Sequence, residues 1–163
     1  MSIQRNDFLN FQILTLSHQF YKDYPDPPYR ELMRKNKRPY NCLLMQSSYG
    51  YYICIPYRSH INHKYAYKFK NSIRSRKSKS GLDYSKMVII ENSDYLSTQN
   101  AVIDTDEYKE TRQNIEYIKN DVAKYINEYI AYVKNKTPTK NQKKLKRKYI
   151  YSTLQYFHKE LKI

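Results

Sequence analysis

Residues 38–60 read RPYNCLLMQSSYGYYICIPYRSH. Two runs in it, Tyr40–Gln46 and Tyr51–Tyr57, have the length and the aromatic and β-branched content of strands. The link Ser47-Ser48-Tyr49-Gly50 is short and ends in glycine, so it is expected to join them as a tight hairpin. Pro56 has no N–H to give, and the ladder is expected to end there. Cys42 and Cys54 fall one in each run. Two cysteines make no disulfide framework, and they read as reduced, buried fillers.

On the N-terminal side, Phe8–Leu16 (FLNFQILTL) reads as a strand. Ser17 can cap a short helix, His18–Tyr24, which Pro25-Asp26-Pro27-Pro28 then breaks. A second short helix is expected over Tyr29–Lys35, with Pro28 near its start, and Asn36–Arg38 is polar. On the C-terminal side, Arg58–Ser80 is basic and serine-rich and reads as a long, partly mobile loop. Gly81-Leu82-Asp83-Tyr84 leads into a buried strand, Met87–Ile90, and a short element surrounds Tyr95.

Asp104 to about Lys134 carries the clearest helical pattern. Asp104 stands three residues before Glu107, the spacing of a capping box. Tyr108, Ile115, Ile118, Val122, Ile126, Tyr129, Ile130 and Val133 form a stripe. Such a stripe packs on a core; the competing reading is a coiled-coil partner helix. The acids of this segment read as its solvated face. Pro138 restarts the chain, Thr139 is the next cap, and residues 140–162 read as one or two basic helices. Leu145, Leu154, Phe157 and Leu161 form their buried side. Strands and helices so mixed define an α+β fold.

The chain has 163 residues, which suits one domain spanning 1–163 with a core large enough to fold unaided. No run of 18 apolar residues is present, so a membrane span is not expected. MSIQRNDFLNF lacks the apolar core of a signal peptide, and a cytoplasmic location is expected. Only Gly50 and Gly81 are glycines, too few for a P-loop or a dinucleotide-binding fingerprint.

The net charge is +15. Residues 58–86 carry nine Lys or Arg against one acid, and residues 134–163 carry ten against one. Between them, residues 87–128 carry nine acids and four bases. A single basic run is commonly a solvated surface; two blocks in a short chain suggest a polyanion partner. Tyr57, Tyr65, Tyr67, Tyr84, Tyr149, Tyr151 and Tyr156 are interleaved with the basic residues. Aromatic faces stack on unpaired bases while Lys and Arg track phosphates, which suits single-stranded RNA. The tyrosines read equally well as core.

Few residues offer chemistry. His60 and His63 are three apart with no nearby carboxylate in sequence, so no metal or other cofactor is expected. Asp83, the lone acid of its basic block, reads as a turn or ion-pair residue. Cations, hydroxyls and imidazoles remain, and RNA can be cut with those alone. The 2′-OH attacks the adjacent phosphorus and the 5′-oxygen leaves, which requires proton transfer and charge stabilisation. In Pro56–Lys64, Arg58 can clamp a phosphate, Ser59 can donate or move a proton, and His60 or His63 can act as acid or base. The alternative is that these are ordinary loop residues.

RPYNCLLM, YYICIPYRSHINHKYAY, GLDYSKMVII and STLQYFHKEL, in that order, resemble the toxins of type III toxin–antitoxin systems. The likeness is to the ToxN/AbiQ-like superfamily, most closely its TenpN- and CptN-type branches, over about residues 11–161. The resemblance implies a Kid/MazF-like compact domain, with a highly curved antiparallel sheet surrounded by helices. It implies a metal-independent endoribonuclease that leaves 2′,3′-cyclic phosphate and 5′-OH ends. Such a toxin processes, and is inhibited by, a repetitive pseudoknotted RNA antitoxin and acts in phage abortive infection. The strand-end motif of the P-L-[TR]-S kind falls on Pro56-Tyr57-Arg58-Ser59. The resemblance therefore implies catalytic roles for Ser59 and Arg58, for Arg38 or Lys37 at the start of the preceding strand, and for Tyr21 or His18. His60 is added on chemical grounds. RNA contacts are expected from Lys37, Tyr57, His63, Lys64, Lys68, Lys70, Arg74, Arg76, Lys143, Lys144 and Arg147. His158 either packs beside Phe157 or touches RNA. The partners implied are the RNA antitoxin and cellular or phage RNA, in a cyclic protein–RNA assembly, without membrane or DNA. Two competing readings are a non-catalytic RNA-binding protein and a DNA-binding regulator, the latter without a helix-turn-helix signal.

Overall fold

The computed structural model describes residues 2–35, 37–46, 48–99 and 101–163. Asn36 and Ser47, which fall in the polar stretch and the hairpin link read above, lie outside them. In chain order the elements are β1 (Phe8–Leu16), α1 (His18–Asp23), β2 (Tyr40–Met45), β3 (Tyr52–Arg58), β4 (Ala66–Lys68) and α2 (Ile73–Ser78). There follow β5 (Gly81–Asp83), β6 (Val88–Ile90), β7 (Leu96–Ser97), α3 (Thr105–Gln113), α4 (Ile115–Val133), α5 (Thr139–Tyr149) and α6 (His158–Leu161). The fold is α+β. Seven antiparallel strands form one open sheet in the order β4-β5-β3-β2-β1-β7, with β6 also on β3.

β3 is the hub. Tyr52–Cys54 pair with β6, Tyr57–Arg58 pair with β5, and β2 runs along the other edge. Pro56 lies where β3 changes partner, in a gap where its missing N–H breaks no ladder bond on that side. The strand therefore continues through Pro56 to Arg58 and does not end there. Cys42 and Cys54 are directly opposed across β2 and β3, with Cα atoms 3.9 Å apart. Both are buried as expected, but they form a disulfide and are not reduced fillers.

β1 has the expected bounds, and Ser17 caps α1 by accepting from the Phe20 N–H. Tyr29–Lys35 forms turns and no helix. Arg34 instead donates from its guanidinium to the Tyr24 and Tyr29 carbonyls, and Tyr24, Tyr29 and Tyr156 meet edge to face in series. Residues 58–80 are not one long loop: they contain β4 and α2. The expected capping box at Asp104 does not form. The long helix breaks at Asn114, whose side-chain N–H₂ donates back to the Glu110 carbonyl at 2.9 Å, a competitor for the helical bond. Beyond the break, Ile118, Val122 and Ile126 are wholly buried, so that part of the stripe packs on the core, whereas Tyr108, before the break, is exposed. Thr139 opens α5 as its first residue, with Pro138 in the cap position. Leu145, Leu154, Phe157 and Leu161 are buried as expected.

Most of the tyrosines serve the core. Tyr57, Tyr67, Tyr84 and Tyr149 are buried, Tyr65 and Tyr156 partly so, and Tyr151 is exposed. Their hydroxyls find partners as burial requires: Tyr57 with Thr111, Tyr84 with Asp121, Tyr149 with the Tyr125 carbonyl. Among the described residues, no helix is long and apolar enough to cross a membrane.

Candidate functional site

Antiparallel register builds the site. Tyr40 is opposite Pro56, so the residues two steps outward, Arg38 and Arg58, arrive side by side at the end of the sheet. A cleft of about 750 Å³ opens there. Arg38, Arg58, Ser59 and His60 line it, with Lys35 and Lys37 on one wall and Arg74, Asp104 and Glu107 on another. The cleft thus gathers five cationic side chains against two carboxylates.

Arg38 is half-buried. One guanidinium nitrogen donates to the Tyr57 carbonyl at 2.9 Å, and its Nε is buried without a protein partner among the described residues. Burial, and secondarily the like charge of Arg58, lower its pKa. Each effect makes an added anion welcome.

Arg58 is held from behind. Asp83 is wholly buried and accepts from Arg58 at 2.7 Å. It also accepts from the Ser85 N–H at 3.0 Å and the Ser85 hydroxyl at 2.6 Å. His63 Nδ1 accepts the Tyr65 N–H at 3.1 Å, which leaves Nε2–H to donate to Asp83 at 3.2 Å. Burial works to raise the Asp83 carboxyl, but the bonds from His63, Ser85 and Arg58 outweigh it and hold the pKa low. This carboxylate beside His63, invisible in sequence spacing, makes His63 part of the support for Arg58.

His60 adopts φ +59°, a left-handed conformation uncommon for a side chain of this size. Such strain collects at functional sites and is held by its surroundings. Here the His60 N–H donates to the Ser78 carbonyl at 2.5 Å, and the Ile61 N–H to the Lys79 carbonyl at 3.2 Å. The buried Ile61 side chain anchors the turn, and the imidazole is left exposed. Neither the Ser59 hydroxyl nor the His60 ring has a hydrogen-bond partner among the described residues.

The acids of α3 are not a solvated face. Glu107 is buried and accepts from the hydroxyls of Ser72, at 2.9 Å, and Ser80, at 2.5 Å. Glu110 accepts the Lys70 and Asn71 N–H groups, each at 3.1 Å, and Asp106 the Ile73 N–H at 2.9 Å. Asp104 pairs with Arg74 at 2.9 Å. The acidic block thus holds α2 and its approach in place, forming the far wall of the cleft.

The other expected residues separate. Tyr21 does not line the cleft; its hydroxyl lies 3.5 Å from the carbonyl of Lys35, which does. Burial raises its pKa, while Arg38 and Arg34 act to lower it. Tyr57 is core, stacked on Phe69. Lys64, Lys68 and Lys70 line a second, smaller cleft. Arg76 is exposed on α2, and Lys143, Lys144 and Arg147 are exposed on α5. Lys148 on the same helix has nothing in sequence that sets it apart from its basic neighbours. It pairs with Glu128 at 2.5 Å and lies 5.2–5.4 Å from the rings of Tyr65, Tyr125 and Tyr149. His158 packs, with its Nε2 2.6 Å from the Tyr129 hydroxyl. Among the described residues, no three His, Cys, Asp or Glu side chains converge as metal ligands would.

The chain matches no family model, no curated protein and no solved structure. The chemistry of the cleft therefore rests on its residues. Arginine forks bind non-bridging phosphate oxygens bidentately and stay charged through a reaction. A hydroxyl and an imidazole beside them can donate or take a proton.

Proposed function

We propose that the protein is a metal-independent, sequence-specific endoribonuclease and the toxin of a type III toxin–antitoxin system. The observation that carries this reading is the convergence of Arg38, Arg58, Ser59 and His60 on one basic cleft at the end of the sheet. In this reading the scissile phosphate lies between the two guanidiniums. Ser59 supports a non-bridging oxygen or relays a proton, and His60 acts as acid or base. Attack by the 2′-OH forms a bond to phosphorus as the 5′-oxygen leaves, which gives a 2′,3′-cyclic phosphate and a 5′-OH. Tyr21 acts as a positioning residue, through the Lys35 carbonyl at the rim of the cleft. The sheet then corresponds to the curved sheet of Kid/MazF-like toxins. Exposed lysines on α5 and on the 64–70 segment hold the repeat RNA antitoxin, which the toxin processes and which inhibits it in a closed protein–RNA assembly. The setting is the cytoplasm, in abortive phage infection.

The competing reading, a non-catalytic RNA-binding protein, is favoured by one observation: among the described residues, neither the Ser59 hydroxyl nor the His60 ring has a hydrogen-bond partner to orient it. Expression in bacteria separates the two. Wild type is expected to arrest growth and fragment cellular RNA, and Ser59→Ala to do neither at equal protein level. Equal arrest by both proteins contradicts the assignment of Ser59.

A further inference from the structure

We infer that a second nucleotide subsite, built on Tyr117 at the free edge of β4, stacks an unpaired base of the RNA held in the first cleft. The inference rests on the RNA reading above and adds a site to it. A cleft of about 350 Å³ lies there, within the size range of small-ligand sites. Lys64, Lys68 and Lys70 line it together with Tyr67, Asn114 and Tyr117.

Tyr117 is 59% exposed, unlike most tyrosines in this chain. The break at Asn114 starts α4 anew, and Ile118, not Tyr117, takes the inward position. Tyr67, buried beside it, meets the Tyr117 ring at 6.1 Å and 66° and fixes its orientation. An oriented, solvent-facing phenol ring is a poor use of apolar area for the fold and a good platform for a base. The three lysines are exposed, and none takes part in the described ion pairs. The single acid on the lining, Asp121, is engaged by the Tyr84 hydroxyl at 3.2 Å. Cations beside an aromatic face match the backbone and bases of a single strand.

Register gives the distance to the first cleft. Arg58 pairs with Gly81, and Gly81 with Lys68, so Lys68 is two strand spacings from Arg58, about 10 Å. An extended RNA strand covers that span in a few nucleotides. The subsite therefore engages the same strand, to one side of the phosphate held at Arg58.

The test is the affinity of fluorescently labelled 2′-O-methyl oligouridylates, which lack the attacking hydroxyl and stay uncut, at increasing length for wild type, Tyr117→Ala and Tyr117→Phe. Tyr117 is exposed, so neither change disturbs the core. Tyr117→Ala is expected to weaken long oligomers about tenfold while leaving the shortest unaffected, and Tyr117→Phe to bind like wild type. Equal affinity of Tyr117→Ala and wild type at every length, with cleavage still dependent on Ser59, overturns the subsite and leaves the first cleft standing. Absence of RNA binding by wild type overturns both.

Discussion

The Arg58 guanidinium lies 2.7 Å from the carboxylate of Asp83, a side chain with no exposure to solvent. One partner faces the cleft and the other is sealed in the sheet. The pair is therefore unequal: the buried member fixes the exposed one. Removing one member of a buried pair leaves an uncompensated charge, at about 3–5 kcal/mol. Arg58→Ala is expected to destabilise the protein by about 3 kcal/mol, measured by urea unfolding, as well as to stop cleavage. Arg58→Ala, Asp83→Ala should restore much of the stability and none of the activity.

The same carboxylate sets an acid limit. Its pKa in the folded protein lies below that of an unfolded aspartate. The stability it contributes is thus present in full above about pH 4 and is lost as the pH falls through the folded value. Urea midpoints measured between pH 7 and pH 3 are expected to fall at the acid end, and Asp83→Asn to flatten that part of the curve.

Arg38 and Arg58 present forks, and a lysine presents a point charge. Arg38→Ala is expected to reduce the rate of RNA cleavage by about two orders of magnitude, the usual cost of losing one preorganised donor to a developing charge. Arg58→Lys keeps the ion pair with Asp83 and the fold, and should lose at least tenfold in rate at saturating RNA. Single-turnover kinetics measure both.

Gly81 is fixed by close approach. A Cβ placed there lands 2.1 Å from the Tyr67 carbonyl oxygen, a backbone atom that has no side chain's freedom to move away. Gly81→Ala is expected to cost about 1–3 kcal/mol by chemical denaturation, because β4 and β5 must separate.

Much of this architecture is legible in sequence where one local signal suffices. Phe8–Leu16 is long and apolar enough to declare its strand, and Ser17 sits where a cap must be. Pro56-Tyr57-Arg58-Ser59 marks the end of β3, and that end forms the cleft. What sequence hides is tertiary. β4 and α2 are too short and polar to show a period, and carboxylates thirty or more residues away, on Asp106, Glu107 and Glu110, hold them. Those acids look like a solvent face until the basic segment is folded against them. The hairpin register sets Arg38 beside Arg58 and Cys42 against Cys54, and neither residue spacing alone nor composition expresses that pairing. Tyr117 falls off the apolar stripe of α4, and only the folded neighbours Tyr67 and the lysines of the β4 segment set it apart from any surface tyrosine.

The most direct test of the proposed chemistry is RNA cleavage by the purified protein in EDTA, with Ser59→Ala beside it and the fragment ends identified. Wild type alone is expected to cleave, leaving 2′,3′-cyclic phosphate and 5′-OH ends, with no cut at a nucleotide whose 2′-OH is replaced by hydrogen. Well-folded wild type that binds RNA without cutting it, or that leaves 5′-phosphate ends, would rule out the proposed transesterification.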